Sequence, residues 1–83
     1  MPRYIDHHPT NPDMPPDMVT MIKQRLTTGE VDQFGEKGHN VFIGPQQTYC
    51  YTEAPSPDAV RRSHQALGII LAPQDISEVQ VLP

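Results

Sequence analysis

The ten prolines of this 83-residue chain constrain its fold more than any other feature. Proline begins helices well but disrupts the interior of helices and strands, so it marks boundaries between elements. Most of these prolines lie between stretches with helix-like or strand-like patterns, at positions 9, 12, 15, 16, 45, 55, 57 and 73. They therefore divide the chain into short elements of one domain, residues 1–83, without an internal repeat.

Four segments have strand character and are bounded by turn residues. They comprise residues 3–8, 41–43, 48–52 and 78–82. A first helix is expected to open at Pro15-Pro16-Asp17 and to carry apolar residues at helical spacing as far as Leu26. Residues 27–29 weaken the pattern and leave open whether the helix continues to Phe34. Residues 30–40 are expected to form a turn region.

A second helix is predicted from Ser56, a suitable N-cap, through Pro57 to about Leu67, with Gly68 as its stop. The order is then strand, helix, strand, strand, helix, strand. This order predicts an α+β ferredoxin-like βαββαβ sandwich, with a four-stranded antiparallel sheet and two helices on one face.

Charge and composition exclude several classes of partner. Six basic residues are scattered among ten acidic ones, and the net charge is −4, so a phosphate-binding surface for nucleic acid is not expected. No apolar run approaches a membrane span, and no signal peptide is expected. The single cysteine, Cys50, fits a reducing compartment, so we expect a cytoplasmic protein. With 36% hydrophobic residues and no Trp the core must be thin, which favours a homodimer.

Residues capable of metal chemistry concentrate at two predicted strand ends. His7 and His8 end the first strand, whereas Cys50 and Glu53 lie near the end of the third. We expect these two strands to be parallel neighbours in the centre of the sheet, which would bring the two ends together. His64 shares the apolar face of the second helix and should point at the same region.

The alternation of side chains along the strands divides these residues between two faces. Ile5 is expected to face the helices and to place His7 there, with Asp6 and His8 on the open face of the sheet. The register of the third strand is left undetermined by the pattern. If Cys50 faces the helices, it joins His7 and His64, and the open face collects Asp6, His8, Tyr49, Tyr51 and Glu53. Such an open face would need cover, most simply from a second copy of the chain.

Each of these residues alone also has an ordinary structural explanation. A histidine pair often ends a strand, and a lone buried cysteine usually packs as a small apolar residue. His39, between Gly38 and Asn40, is expected to be solvated and without a role. Convergence of imidazole, thiolate and carboxylate groups would suit Ni²⁺, Zn²⁺ or Cu²⁺. No CxxC, HExxH or DxDxDG spacing is present to strengthen that hypothesis.

Three stretches carry a resemblance to a known family: Arg-Tyr-Ile-Asp-His-His at 3–8, Tyr-Cys-Tyr-Thr-Glu-Ala-Pro at 49–55, and Asp-Ala-Val-Arg-Arg-Ser-His at 58–64. The chain resembles a family of small bacterial ferredoxin-like proteins, a domain of unknown function that includes a dimeric nickel-binding protein. The resemblance spans nearly the whole chain and is weak between residues 27 and 45. It implies that Asp6, His8, Cys50, Glu53 and His64 occupy the family's recurring polar positions. His7 and the proline-rich loop from Pro9 depart from the family's pattern.

Three hypotheses follow. The first is a non-enzymatic, dimeric protein that binds a divalent transition metal, nickel above all, with ligands drawn from Asp6, His7, His8, Cys50, Glu53 and His64. The second is an enzyme or small-organic-ligand binder that uses the same cavity, with His64 as general base. The third is an interaction module without a site.

Overall fold

Proline and glycine delimit the helices in the computed structural model, which describes residues 1–83. Helix α1 spans Pro16–Thr28 and ends at Gly29, whose φ of 70° lies in the left-handed region that glycine adopts without strain. Helix α2 spans Pro57–Ala66, and the Ser56 hydroxyl accepts a hydrogen bond from the Ala59 amide at 3.2 Å. The predicted N-cap of α2 is confirmed.

Four strands form one antiparallel sheet in the order β2-β3-β1-β4. Their bounds are Arg3–Pro9 for β1, Lys37–Ile43 for β2, Gln47–Glu53 for β3 and Ile76–Val79 for β4, and a 3₁₀ turn at Pro73–Asp75 precedes the last. The two helices follow β1 and β3, so the order is βαββαβ. The predicted ferredoxin-like α+β fold is confirmed.

Two strand boundaries differ from the prediction because pairing overrides local propensity. Strand β2 begins at Lys37 rather than at residue 41, since Lys37 and Gly38 pair with the far end of β3, and a bulge follows at Gly38/Asn40. Strand β4 ends at Val79, which pairs with Arg3 at the start of β1. The apolar residues after Val79 therefore have no partner strand beside them.

The central strands β1 and β3 are antiparallel, and the expectation that they run parallel is wrong. In this topology β3 lies between β1 and β2, which are parallel to each other, and it must oppose both. His8 therefore pairs with Thr48, whereas Glu53 pairs with Arg3 at the other end of β1. Five residues of strand, roughly 17 Å, separate the two ends.

The side chains of β1 alternate between the two faces of the sheet, but each lies on the face opposite to the predicted one. Tyr4, Asp6 and His8 are buried beneath the helices, whereas Ile5 and His7 lie on the open face. The large ring of Tyr4, 2% exposed, belongs to the apolar core, and a strand's period of two then fixes every neighbour. Cys50 faces the helices, which settles the register that the sequence left open.

The buried interior is as polar as it is apolar. The apolar core lies between α2 and the sheet and contains Tyr4, Ala54, Ala59, Val60 and Leu71. Six of the twelve buried residues are polar or charged, namely Asp6, His8, Thr48, Thr52, Ser63 and His64. Helix α1 contributes no buried residue. Neither helix is long and apolar enough to cross a membrane.

Candidate metal centre

Four side chains with metal-binding atoms converge beneath the helices. Asp6 and His8 come from β1, Cys50 from β3 and His64 from α2, and all four are buried. One ligand atom from each lies within 4.8 Å of the others. Asp6 and Cys50 are direct partners across the antiparallel pair, and the two-residue period of β1 carries His8 to the same face.

Backbone hydrogen bonds orient both imidazoles. The Nδ1 atom of His64 lies 2.8 Å from the Val60 carbonyl oxygen, one helical turn earlier, and Nδ1 of His8 lies 3.1 Å from the Pro9 carbonyl oxygen. A carbonyl oxygen only accepts, so each Nδ1 carries the hydrogen. Each Nε2 is thereby left to face the cluster, the arrangement in which histidine commonly binds metals.

The Asp6 carboxylate is fully buried, and neither of its oxygens makes a well-formed hydrogen bond. Its Oδ1 lies 3.1 Å from Nε2 of His64, an ion-pair distance at which the approach lacks hydrogen-bond geometry. Burying a neutral polar group without a hydrogen bond costs about 2–7 kcal/mol. Burying a charged carboxylate without full compensation also costs several kcal/mol. His64 offsets part of that cost, and a divalent cation close to Asp6 would offset more of it.

Asp6 holds a proton on His64 in the metal-free protein. Burial alone lowers the pKa of His64, but the contacts with Asp6 and Cys50 and the negative charges of Asp6 and Glu36 outweigh it and raise the pKa to about 11. The imidazole is therefore cationic at neutral pH. A metal ion would replace this proton with a larger positive charge.

The Cys50 thiol is protonated when no metal is bound. Burial raises its pKa, and the negative charge of Asp6 adds to that effect, whereas the neighbouring His64 opposes it. Its Sγ lies 3.9 Å from Nε2 of His8. A buried thiol with a raised pKa is inert as a nucleophile but becomes a thiolate on coordination.

The four donors match a four-coordinate site in number and chemistry. Zinc-type bonds of about 2.0–2.3 Å place tetrahedral ligand atoms roughly 3.3–3.8 Å apart. The observed limit of 4.8 Å exceeds this by about one ångström, within reach of small side-chain rotations. Two anionic donors and two neutral imidazoles would neutralise a divalent cation.

Two sequence-predicted ligands lie outside the cluster, on the open face of the sheet. His7 is half exposed, with its Nε2 3.8 Å from an oxygen of Asp75. Glu53 pairs with Arg3 at 3.2 Å and with His39 at 3.1 Å. Both placements follow from the antiparallel pairing and the phase of β1. The broad expectation that residues of this set converge holds for Asp6, His8, Cys50 and His64. The expected division between the two faces, with Asp6 and His8 on the open face, is wrong.

Sequence reasoning missed Asp32, Glu36 and Ser63 at the edge of the cluster. Ser63 donates a hydrogen bond to Oδ2 of Asp32, and the Asp32 Oδ1 accepts from the backbone amides of Phe34 and Glu36. Burial raises the pKa of the Glu36 carboxyl, His64 and Ser63 oppose that effect, and Asp32 and Asp6 add to it. The Asp-x-x-Gly pattern at residues 32–35, typical of a type I turn, was the available signal.

His39 is not the solvated turn residue that the sequence indicated. It sits at the bulge of β2, half buried, with its ring 5.5 Å from that of Tyr51 and its Nε2 3.1 Å from Glu53. A bulge inserts one extra residue and redirects a side chain, which no local pattern at Gly38-His39-Asn40 announces.

The chain matches no protein-family model, and no curated protein or solved structure is significantly similar to it. The site is therefore interpreted from its own geometry.

Proposed function

We propose that this protein binds a divalent transition metal ion in the cytoplasm through Asp6, His8, Cys50 and His64, as a metal-binding protein rather than an enzyme. The observation that carries the proposal is the fully buried Asp6 carboxylate, whose only ion-pair partner is His64 and which faces two imidazole Nε2 atoms. A metal ion satisfies all of these groups at once. All four donors come from one chain, so each copy holds a complete site.

Nickel is our first candidate, because the family that the sequence resembles includes a nickel-binding protein. The donor set of two imidazoles, one thiolate and one carboxylate also suits Zn²⁺ and Cu²⁺. Affinity for such a set generally rises from Ni²⁺ to Cu²⁺, so selectivity must come from geometry and metal supply.

A titration of chelator-treated, tag-free protein with Ni²⁺, Zn²⁺ and Cu²⁺ by isothermal calorimetry tests the proposal. We expect one tight site per chain, together with a thiolate-to-metal absorption band in the near ultraviolet for Ni²⁺ and Cu²⁺. The absorption band should disappear in the Cys50→Ser variant. Binding no tighter than that of the urea-unfolded chain would contradict the proposal.

The alternative of His64 as a general base is less favoured. A general base must be unprotonated at the working pH, and its efficiency is greatest when its pKa lies near that pH. Asp6 raises the pKa of His64 to about 11, so the imidazole already carries its proton. Metal binding can displace this proton because the incoming cation takes over the interaction with Asp6.

We also propose that the protein is a homodimer that associates through the open face of the sheet. Ile5, Phe42 and Tyr49 are exposed there by 39%, 60% and 46%, and Phe42 pairs with Tyr49 across β2 and β3. Contiguous apolar side chains of this kind favour burial.

Light scattering at micromolar concentration should give twice the chain mass for the wild type. The Phe42→Asp variant should give half that mass, because the charge would disrupt the apolar surface. A single-chain mass for the wild type would contradict the dimer.

A further inference from the structure

A cleft of about 450 Å³ lies between α1, the sheet and α2. This volume falls in the range of about 300–1,000 Å³ that is typical of small-molecule sites. Cys50 and His64 lie on its floor, so the candidate metal centre occupies one part of the cleft. The remaining space is not needed by a single ion.

Helix α1 forms an apolar wall of this cleft. Val19, Ile22 and Leu26 line it, yet none of them is buried, because the cleft separates the helix from the sheet. Leu26 reaches the sheet above Gly38, where an added Cβ would come within 3.0 Å of its side chain. Apolar surface left open in this way gains free energy when an apolar ligand covers it.

The floor of the cleft presents one polar group without a protein partner and two carboxyl groups. Thr52 is 4% exposed, and its Oγ1 has no hydrogen-bond partner. Leaving such a group unsatisfied costs about 1–3 kcal/mol. Glu36 also lines the cleft beside His64, and neither Lys23 nor Arg25, which line the cleft too, forms an ion pair with it. Asp32 lies beside Glu36 and already receives three hydrogen bonds.

We infer that this cleft binds a small organic amine with an apolar body. The ammonium group faces the carboxylates of Glu36 and Asp32, and the Thr52 hydroxyl accepts one of its hydrogens. The body of the ligand packs against Ile22 and Leu26. A carboxylic acid of the same shape is disfavoured because it would bring a third negative charge to Glu36 and Asp32. The inference goes beyond metal binding and does not depend on it, since the cleft, its apolar wall and the unpartnered hydroxyl are present without the ion.

Three probes with one shared body test the inference: benzylamine, benzyl alcohol and benzoate. Each is titrated into chelator-treated, ¹⁵N-labelled full-length protein, and the amide shifts are followed by NMR. We expect benzylamine to bind most tightly, benzyl alcohol several-fold more weakly and benzoate not at all, with shifts at α1 and at Thr52. No binding of any probe at millimolar concentration would overturn the inference, and so would tighter binding of benzoate than of benzylamine.

Three variants and one control locate the site. Ile22→Trp fills the cleft and should abolish binding, whereas Thr52→Val should weaken the binding of benzylamine and benzyl alcohol several-fold. Glu36→Gln should remove the preference for benzylamine over benzyl alcohol. Gln24→Ala, on the exposed side of α1, should change nothing. Unchanged benzylamine affinity in both Thr52→Val and Glu36→Gln would overturn the assignment even if Ile22→Trp failed to fold. Because the metal is absent throughout, failure of the nickel titration and failure of amine binding are separate results.

Discussion

Two histidine–carboxylate pairs lie on opposite faces of the same sheet, and their contact distances are equal. Nε2 of His64 is 3.1 Å from Asp6 beneath the helices, and Nε2 of His39 is 3.1 Å from Glu53 on the open face. The side chains of the first pair are 8% and 0% exposed, whereas those of the second are 26% and 19% exposed. Glu53 has a further partner in Arg3, and Asp6 has none.

The difference lies in what compensates the carboxylate. Burial opposes ionisation of Glu53, but the neighbouring His39 and the charge of Arg3 outweigh it and lower its pKa. Glu53 is therefore a stable anion that needs no further cation. Asp6 has one ion-pair partner, the buried His64, and neither of its oxygens makes a well-formed hydrogen bond. Contact distance alone does not identify a metal site; an under-compensated buried carboxylate beside correctly oriented donors does.

The largest expected effect is on metal affinity, and it distinguishes His64 from His39. His64→Ala removes one of four ligands and should lower the affinity for Ni²⁺ at least about 100-fold, more than the loss typical of outer-shell groups. His39→Ala is the matched control on the open face and should leave affinity unchanged. Calorimetric titration of both variants measures this contrast. Equal losses in the two variants would remove the distinction between the faces.

Asp6→Asn tests the carboxylate that carries the proposal. The substitution keeps the shape of the side chain but removes its charge, so metal affinity should fall sharply. Breaking a buried pair should also lower the free energy of unfolding by about 3 kcal/mol. Urea unfolding of the metal-free protein measures this second effect.

The same variant should change how stability depends on pH. The folded-state pKa of His64 is raised from 6.5 to about 11, so its stabilising contribution is complete below pH 6.5 and is lost as pH rises toward 11. The metal-free wild type should therefore lose stability between pH 6.5 and 8.5 more steeply than Asp6→Asn. Parallel curves for the two proteins would show that Asp6 does not hold the proton on His64.

The fold could be predicted because its signals are local. Proline pairs, the Ser56 cap and the Gly68 stop mark the helices, and the order of elements then leaves few topologies. The bounds of β2 and β4 could not be predicted in this way, since they depend on which residues of β3 and β1 lie opposite. The region before Val41 becomes strand through pairing with Thr52 and Glu53 rather than through its own propensity.

The site could be predicted only in part for the same reason. Asp6, His8, Cys50 and His64 could be identified because their side chains carry metal-binding atoms. Which face of the sheet each side chain of β1 occupies depends on whether Tyr4 or Ile5 enters the core. Both choices suit a strand, and the wrong one moves every side chain of β1 to the other face. Glu53 was included because β1 and β3 were expected to be parallel. The buried surroundings of Glu36 arise from tertiary packing around α2 and have no signature in the chain.

Cys50→Ser should have a smaller effect on affinity and a distinct effect on protons. Metal binding at pH 7 should release about two protons, one from the His64 imidazolium and one from the Cys50 thiol, so affinity rises with pH. In the serine variant, affinity for Ni²⁺ should fall about tenfold, and proton release should fall to about one. Calorimetry in buffers of different ionisation enthalpy counts these protons. Unchanged release in Cys50→Ser would mean that the sulfur is not a ligand.

The smallest expected effect concerns the open face. Because the folded-state pKa of Glu53 is lowered from 4.5, its ion pairs stabilise the protein above pH 4.5, and this contribution is lost as pH falls below that value. Glu53→Gln should therefore reduce the drop in thermal midpoint between pH 6 and pH 3 and leave metal affinity unchanged. The effect should be slight, because half-exposed pairs are screened by solvent and salt. A loss of metal affinity in Glu53→Gln would link the two faces through the sheet and would contradict the assignment of the metal centre to the helix-covered side alone.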